Sequence, residues 1–166
     1  MDKIIFSPPI EKALREDLKI STFTEIQSRA IPLIQAGKNL IGISETGSGK
    51  TLSFVLPLVD KIVGFPKRPT KILIVTPTKE LSEQILAVVK KVARHTTLIS
   101  MSLYGGKSFS EQTNDLKNGV QILVACPGRL KDHIEKGTIA LSGIDYLVLD
   151  EADQLMDMGF LPAITE

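Results

Sequence analysis

The sequence predicts an α/β domain built on a mostly parallel sheet with helices on both faces, and three observations carry that prediction. Apolar runs at residues 72–75, 120–125 (broken only by Gln121) and 146–149 have the length of strands buried inside a sheet. Segments of helical spacing alternate with them, which is the pattern of βαβ units. Polar and glycine-containing stretches follow the ends of the runs, where parallel sheets collect their ligands.

Composition sets the outer limits. The 166 residues are 43% hydrophobic and 23% charged, enough for one domain with a real core. No run of eighteen apolar residues and no basic start leading into an apolar stretch is present, so a membrane span and a secretory signal are not expected. An intracellular location follows, cytoplasmic or, in a eukaryote, nuclear. The single Cys126 cannot form an internal disulfide, and with two scattered histidines it cannot build a zinc site. Twenty basic and 19 acidic residues give a net charge of +1, so any attraction for nucleic acid has to be local.

Taken in order, Ile10, Ala13, Leu14 and Leu18 recur at helical spacing after Pro8-Pro9, predicting an amphipathic helix with Phe6 packed back ahead of it. Thr24-Glu25-Ile26-Gln27 has the form of a capping box and opens a helix running toward Gly37, bent near Pro32. Capping alone explains Gln27, although its primary amide is also suited to pairing with the edge of an adenine.

Residues 40–43 read as a short buried strand leading into Ser44-Glu45-Thr46-Gly47-Ser48-Gly49-Lys50-Thr51, with a helix continuing through 52–56. Strand, glycine turn and helix together predict a phosphate-binding loop. Gly47 and Gly49 allow backbone conformations in which successive N–H groups, including those of Thr46 and Ser48, converge on phosphate oxygens at a helix N-terminus. Lys50 then reaches the β and γ phosphates and the Thr51 hydroxyl holds Mg2+. Ser44 stands where the strict pattern has Gly, and it is small enough for the turn.

Residues 64–69 form a surface connection, and 72–75 a strand buried on both faces. Pro77-Thr78-Lys79-Glu80 leads into a helix with Leu81, Ile85, Val88, Val89 and Val92 inward. A strand over 98–103 ends in Tyr104-Gly105-Gly106. A polar helix over 108–117, a strand over 120–125, a helix opened by Pro127-Gly128-Arg129 and a strand over 146–149 complete the pattern. Asp150-Glu151-Ala152-Asp153 follows the last strand directly. Asp150 there is placed to hold Mg2+ through waters, and Glu151 to orient or deprotonate the water that attacks a γ phosphate.

From Val148 to Phe160 the chain resembles the DEAD-box RNA helicases, and the resemblance extends over nearly its whole length. Thr46 to Thr51 is similar to that family's motif I, Pro77-Thr78-Lys79-Glu80-Leu81 to motif Ia, Gly105-Gly106 to its GG element, Pro127-Gly128-Arg129 to motif Ib and Asp150 to Asp153 to motif II. The resemblance implies a RecA-like domain, residues 1–166, that binds ATP and Mg2+ and couples hydrolysis to RNA binding and local duplex unwinding. Lys50, Asp150 and Glu151 are its implied catalytic residues. Thr24 and Gln27 would belong to the adenine-reading Q motif. Thr78, Lys79, Gly105, Gly106, Gly128 and Arg129 would touch the RNA backbone without reading sequence.

The chain departs from the family at several positions. Lys19 and Ile20 stand where an aromatic usually stacks on adenine, and Phe23 where Pro is usual. Lys79 replaces Arg in motif Ia, losing a planar fork, and Cys126 replaces a Thr. The sequence ends at Glu166, before a Ser-Ala-Thr motif and a second, C-terminal RecA-like domain. That domain is the expected source of arginine fingers worth about 10^3 to 10^5 in rate, so the chain alone is expected to be nearly inactive, with an exposed sheet edge. Two other functions fit the same residues: another P-loop NTPase such as a DNA translocase, and an ATP-gated RNA clamp that does not unwind.

Overall fold

The computed structural model describes residues 4–66 and 69–159. Two compact units make up the chain, Met1–Phe65 with Ala87–Thr97, and Pro66–Leu86 with Leu98–Glu166.

The first unit is helical. Helix α1 (Pro8–Glu16) starts on two prolines, whose fixed φ suits a first turn, and buries Ile10, Ala13 and Leu14. Phe6 is buried and meets Phe23 edge-to-face at 6.3 Å. Helix α2 (Glu25–Gln35) buries Gln27, Ala30 and Ile31, continues through Pro32 and is followed by Gly37 at φ +74°. Helix α3 (Lys50–Lys61) packs against α2 and buries Val55, Leu56, Leu58 and Val59. Ser7, just before α1, donates its backbone N–H to Asp60 on α3 at 2.9 Å. Asp17, just after α1, accepts from Arg94 at 2.7 Å and pairs with His95 at 2.8 Å. Burial alone would raise the Asp17 carboxyl, but the His95 hydrogen bond and the Arg94 charge outweigh it and hold it below 3.8.

The expected strand at 40–43 is not formed. Ile41 and Ile43 are each 90% exposed, and no described strand pairs with this run. An apolar run becomes a strand only when a neighbour satisfies its backbone groups, so its composition alone does not decide the outcome.

The second unit holds a four-stranded sheet of β1 (Ile72–Val75), β2 (Ser100–Leu103), β3 (Ile122–Ala125) and β4 (Tyr146–Leu149), in the order β2-β3-β1-β4. Every pairing is parallel, with Ile72 opposite both Ile122 and Tyr146 and Ser100 opposite Ile122. β1 and β3 are buried throughout, as continuous apolar runs in the middle of a parallel sheet must be. β4 lies at an edge and leaves Leu147 55% exposed. Helices connect the strands: α4 (Lys79–Val92) after β1, α5 (Phe109–Lys117) after β2 and α6 (Pro127–Glu135) after β3, with α7 (Ala152–Asp157) following β4. Leu73, Val75, Leu103, Leu123, Ala125, Leu130 and Leu155 form one core cluster, so α6 and α7 are anchored to the sheet by one leucine each. Residues 67 and 68 of the predicted surface connection, and the chain beyond 159, lie outside the described residues.

Candidate functional site

The phosphate loop is assembled within the first unit. Gly47 and Gly49 have φ of +84° and +94°, the left-handed region that L side chains avoid. Gly49 is the residue immediately before α3, so Lys50 and Thr51 occupy the first turn of that helix. The N–H groups of a first helical turn have no partner within the helix, and the helix dipole adds positive potential there. Lys50 donates to the backbone carbonyls of Ser44 and Glu45, the latter at 2.7 Å. The hydroxyls of Ser44 and Ser48 share a hydrogen bond of 2.7 Å across the turn, which a glycine at position 44 could not make. Thr46 lies exposed at the tip.

Gln27 is 3% exposed and both ends of its amide are engaged. Its oxygen accepts from the Thr24 N–H at 3.0 Å, while its nitrogen donates to the Gly49 carbonyl at 3.2 Å. The capping half of the sequence reading is therefore present. The second bond, between residues 22 apart in sequence, joins the start of α2 to the phosphate loop. A cleft of about 400 Å3 lies beside this junction, lined by Thr24, Ile26, Arg29, Ile43, Ser44 and Gly47 among others.

The second unit carries the remaining candidates on loops after the strands. After β1, Thr78 accepts the Leu81 N–H at 3.2 Å and so caps α4. Lys79 places its ammonium 5.2 Å from the centre of the Tyr104 ring. Lys107 approaches the same ring at 4.7 Å and pairs with Glu83 at 3.5 Å. A hydrogen bond from Tyr104, aided by Ser102 and Lys107, holds the Glu83 carboxyl below its ordinary value, and the Lys107 ammonium is correspondingly raised. Gly105 and Gly106 are exposed between these residues, with Gly106 at φ +92°.

After β3, Gly128 is exposed in the first turn of α6, and the Arg129 side chain is only 14% exposed. Arg129 donates to the Lys107 carbonyl at 3.0 Å and to Gln112 at 2.8 Å. Burial pushes the Cys126 thiol up, against the opposing effect of a hydrogen bond with Thr76. After β4, the Asp150 N–H continues the ladder by bonding the Val75 carbonyl at 3.0 Å. Glu151 then turns at φ +51°, a left-handed conformation that is strained for a glutamate. Asp153 lies exposed in the first turn of α7.

Each group of predicted residues gathers inside its own unit: Thr24, Gln27 and Thr46 to Thr51 in one, and Thr78, Lys79, Gly105, Gly106, Gly128, Arg129, Asp150 and Glu151 in the other. No cluster of three or more His, Cys, Asp or Glu groups able to hold a metal by themselves occurs among the described residues. Sequence reasoning missed Tyr104, Lys107, Gln112 and His133. Lys107 carried a usable signal, being a cation directly after the glycine pair.

Comparison with known proteins identifies the family and the fold. The family model for DEAD/DEAH box helicases matches residues 24–166. The chain is 40% identical to RNA helicase CrhR of Synechocystis sp. over 148 residues, covering 89% of this chain and 30% of that protein. It is 44% identical to the ATP-dependent RNA helicase DBP3 of Gibberella zeae, covering 82% of this chain and 24% of the relative. Among solved structures, the yeast DEAD-box splicing factor Prp28 superposes with a TM-score of 0.89 at 33% identity, covering 99% of this chain and 41% of that one. A hypothetical ATP-dependent RNA helicase from Sulfolobus tokodaii gives 0.85 at 37% identity, covering 94% and 44%. The chain thus spans from about a quarter to under half of these proteins. With a family match over 143 of 166 residues and relatives 40% and 44% identical across more than four fifths of its length, the chain belongs to the DEAD/DEAH box helicase family.

Proposed function

We propose that this chain is the N-terminal RecA-like, ATP-binding domain of an RNA helicase that couples ATP hydrolysis to RNA binding and local strand separation. The observation that carries the reading is the left-handed Gly47 and Gly49 at the head of α3, which give the loop the backbone form a phosphate cradle requires. The backbone of residues 46–49 binds the phosphates, and Lys50 exchanges its carbonyl partners for β and γ oxygens. Gln27 reads the adenine edge with one donor and one acceptor, and Thr24 frames it.

The Thr51 hydroxyl and the Asp150 carboxylate are the hard oxygen donors suited to Mg2+, which when bound neutralises charge on the phosphates. Glu151 holds the attacking water and takes its proton. Thr78, Lys79, Gly105, Gly106, Gly128 and Arg129 hold the RNA sugar-phosphate chain, a recognition that carries no sequence preference. The extra length of the relatives supports a second RecA-like domain as the partner that brings arginine fingers, without which hydrolysis is negligible.

Calorimetric titration of the protein with ADP and GDP in Mg2+, repeated on Gln27→Ala, tests the nucleotide reading. Preference for ADP that vanishes in the variant is the expected result. Equal binding of ADP and GDP by the unsubstituted protein would reduce Gln27 to a cap and a brace for the loop.

A further inference from the structure

We propose that Gln112 is a positioning residue for RNA binding: its carboxamide, backed by the buried His133, holds the Arg129 guanidinium and fixes the glycine turn at 105–106 between two bonds. The inference rests on the reading of Arg129 as a phosphate ligand.

Gln112, on α5, is 2% exposed. Its nitrogen donates to the Tyr104 carbonyl at 3.2 Å, and its oxygen accepts from Arg129 at 2.8 Å. A guanidinium only donates and a backbone carbonyl only accepts, so the amide can stand in one orientation alone. Arg129 also donates to the Lys107 carbonyl at 3.0 Å. The carbonyls on either side of Gly105-Gly106 are thereby held, one by Gln112 and the other by the arginine that Gln112 anchors.

His133, on α6, is completely buried and stacks on Phe109 with ring centres 4.1 Å apart and planes at 14°. Its Nε2 lies 3.4 Å from the Gln112 oxygen. Its Nδ1 lies 2.7 Å from the Thr138 hydroxyl, which donates to the His133 carbonyl at 2.9 Å, and the same carbonyl takes the Thr138 N–H at 2.9 Å. Burial and the neighbouring Arg129 and Lys136 push the imidazole below 6.5, although Asp132 opposes them.

The choice of an amide at position 112 has a chemical consequence. Two of the three Arg129 partners are neutral oxygens, and the one carboxylate, Asp132, is 3.5 Å away and 54% exposed. A largely buried guanidinium held this way keeps its charge for an anion. A carboxylate at 112 would hold the arginine as firmly but neutralise it.

The test measures affinity of the full-length protein for single-stranded RNA in the presence of a non-hydrolysable ATP analogue, for Gln112→Ala, Gln112→Glu, Arg129→Ala and the Gln112→Ala/Arg129→Ala pair. Arg129→Ala is expected to weaken binding about tenfold, the worth of one charge-assisted hydrogen bond. Gln112→Ala should weaken it severalfold alone and not at all in the Arg129→Ala background, with nucleotide affinity unchanged. Gln112→Glu should weaken RNA binding more than Gln112→Ala does, because both lose the bond to the Tyr104 carbonyl and only the glutamate neutralises Arg129, a difference a purely structural role does not produce.

Full additivity of the two alanine substitutions, or undiminished binding by Gln112→Glu, would overturn the inference. If Arg129→Ala binds RNA normally, the phosphate role of Arg129 fails and the positioning role fails with it; if only Arg129→Ala weakens binding, the positioning role fails alone.

Discussion

Gly47 and Gly49 both adopt positive φ, but only one of them is also hemmed in. A Cβ on Gly47 would meet nothing within 4 Å, whereas one on Gly49 would lie 2.5 Å from the Gln27 amide nitrogen and 3.2 Å from the Thr24 hydroxyl. Gly47→Ala should therefore carry only the left-handed backbone penalty, about 1–2 kcal/mol. Gly49→Ala also displaces the Gln27 amide, breaking a buried hydrogen bond, and is expected to destabilise by about 3 kcal/mol or more. Urea unfolding of the two variants checks this, and equal midpoints would show that Gln27 moves aside freely. The glycines of the loop were legible in the sequence because a phosphate cradle dictates their spacing. The bond from Gln27 to the loop was not, since a capping box accounts for the residue locally and nothing in the pattern connects positions 27 and 49.

At the scale of elements, local and non-local determinants separate cleanly. The helices at 8–16 and 127–135 were readable from their opening prolines, with helical spacing adding to the first, and both signals act within a few residues. The run at 40–43 has the same apolar character as β1 but lacks a neighbouring strand among the described residues, and pairing is a property of the surroundings. His133 gave no signal at all. A lone histidine on a helix is unremarkable until Phe109 from α5 is seen stacked on it and Thr138 beneath it.

The environment of His133 makes α6 a source of pH dependence. Its folded value lies below 6.5, so the unfolded chain takes up the proton first as pH falls. Folding stability is thus unaffected by this group above the unfolded value, and declines as pH drops from 6.5 toward the lowered folded value. Asp17 acts in a separate and more acid window, its contribution being lost only as pH falls below 3.8 and through its own lowered value. Denaturant midpoints between about pH 7.5 and pH 5 should fall for the parent protein and fall less steeply for His133→Asn. Parallel slopes would mean that His133 titrates as it does in the unfolded chain.

Across the whole of this chain, 20 basic and 19 acidic residues leave almost no net field. A chain of this kind cannot draw a polyanion by overall charge, so under the proposed RNA-binding role the attraction has to come from the few cations that its loops gather. Lys79 and Lys107 both approach the Tyr104 ring, and Glu83 pairs with Lys107. Counterion release then gives a quantitative expectation. For each phosphate of a single strand that a substitution leaves without its cation, the slope of log K against log salt should become shallower by about 0.7. Lys79→Ala is expected to produce that change in the full-length protein, with affinity reduced alike for RNAs of unrelated sequence, because a phosphate carries no sequence information. Lys12→Ala on α1 removes the same formal charge from an i,i+4 pair with Glu16 and should leave the slope unchanged. If the two substitutions shift the slope equally, the attraction is a long-range effect of total charge, and the loop after β1 has no privileged part in holding the strand.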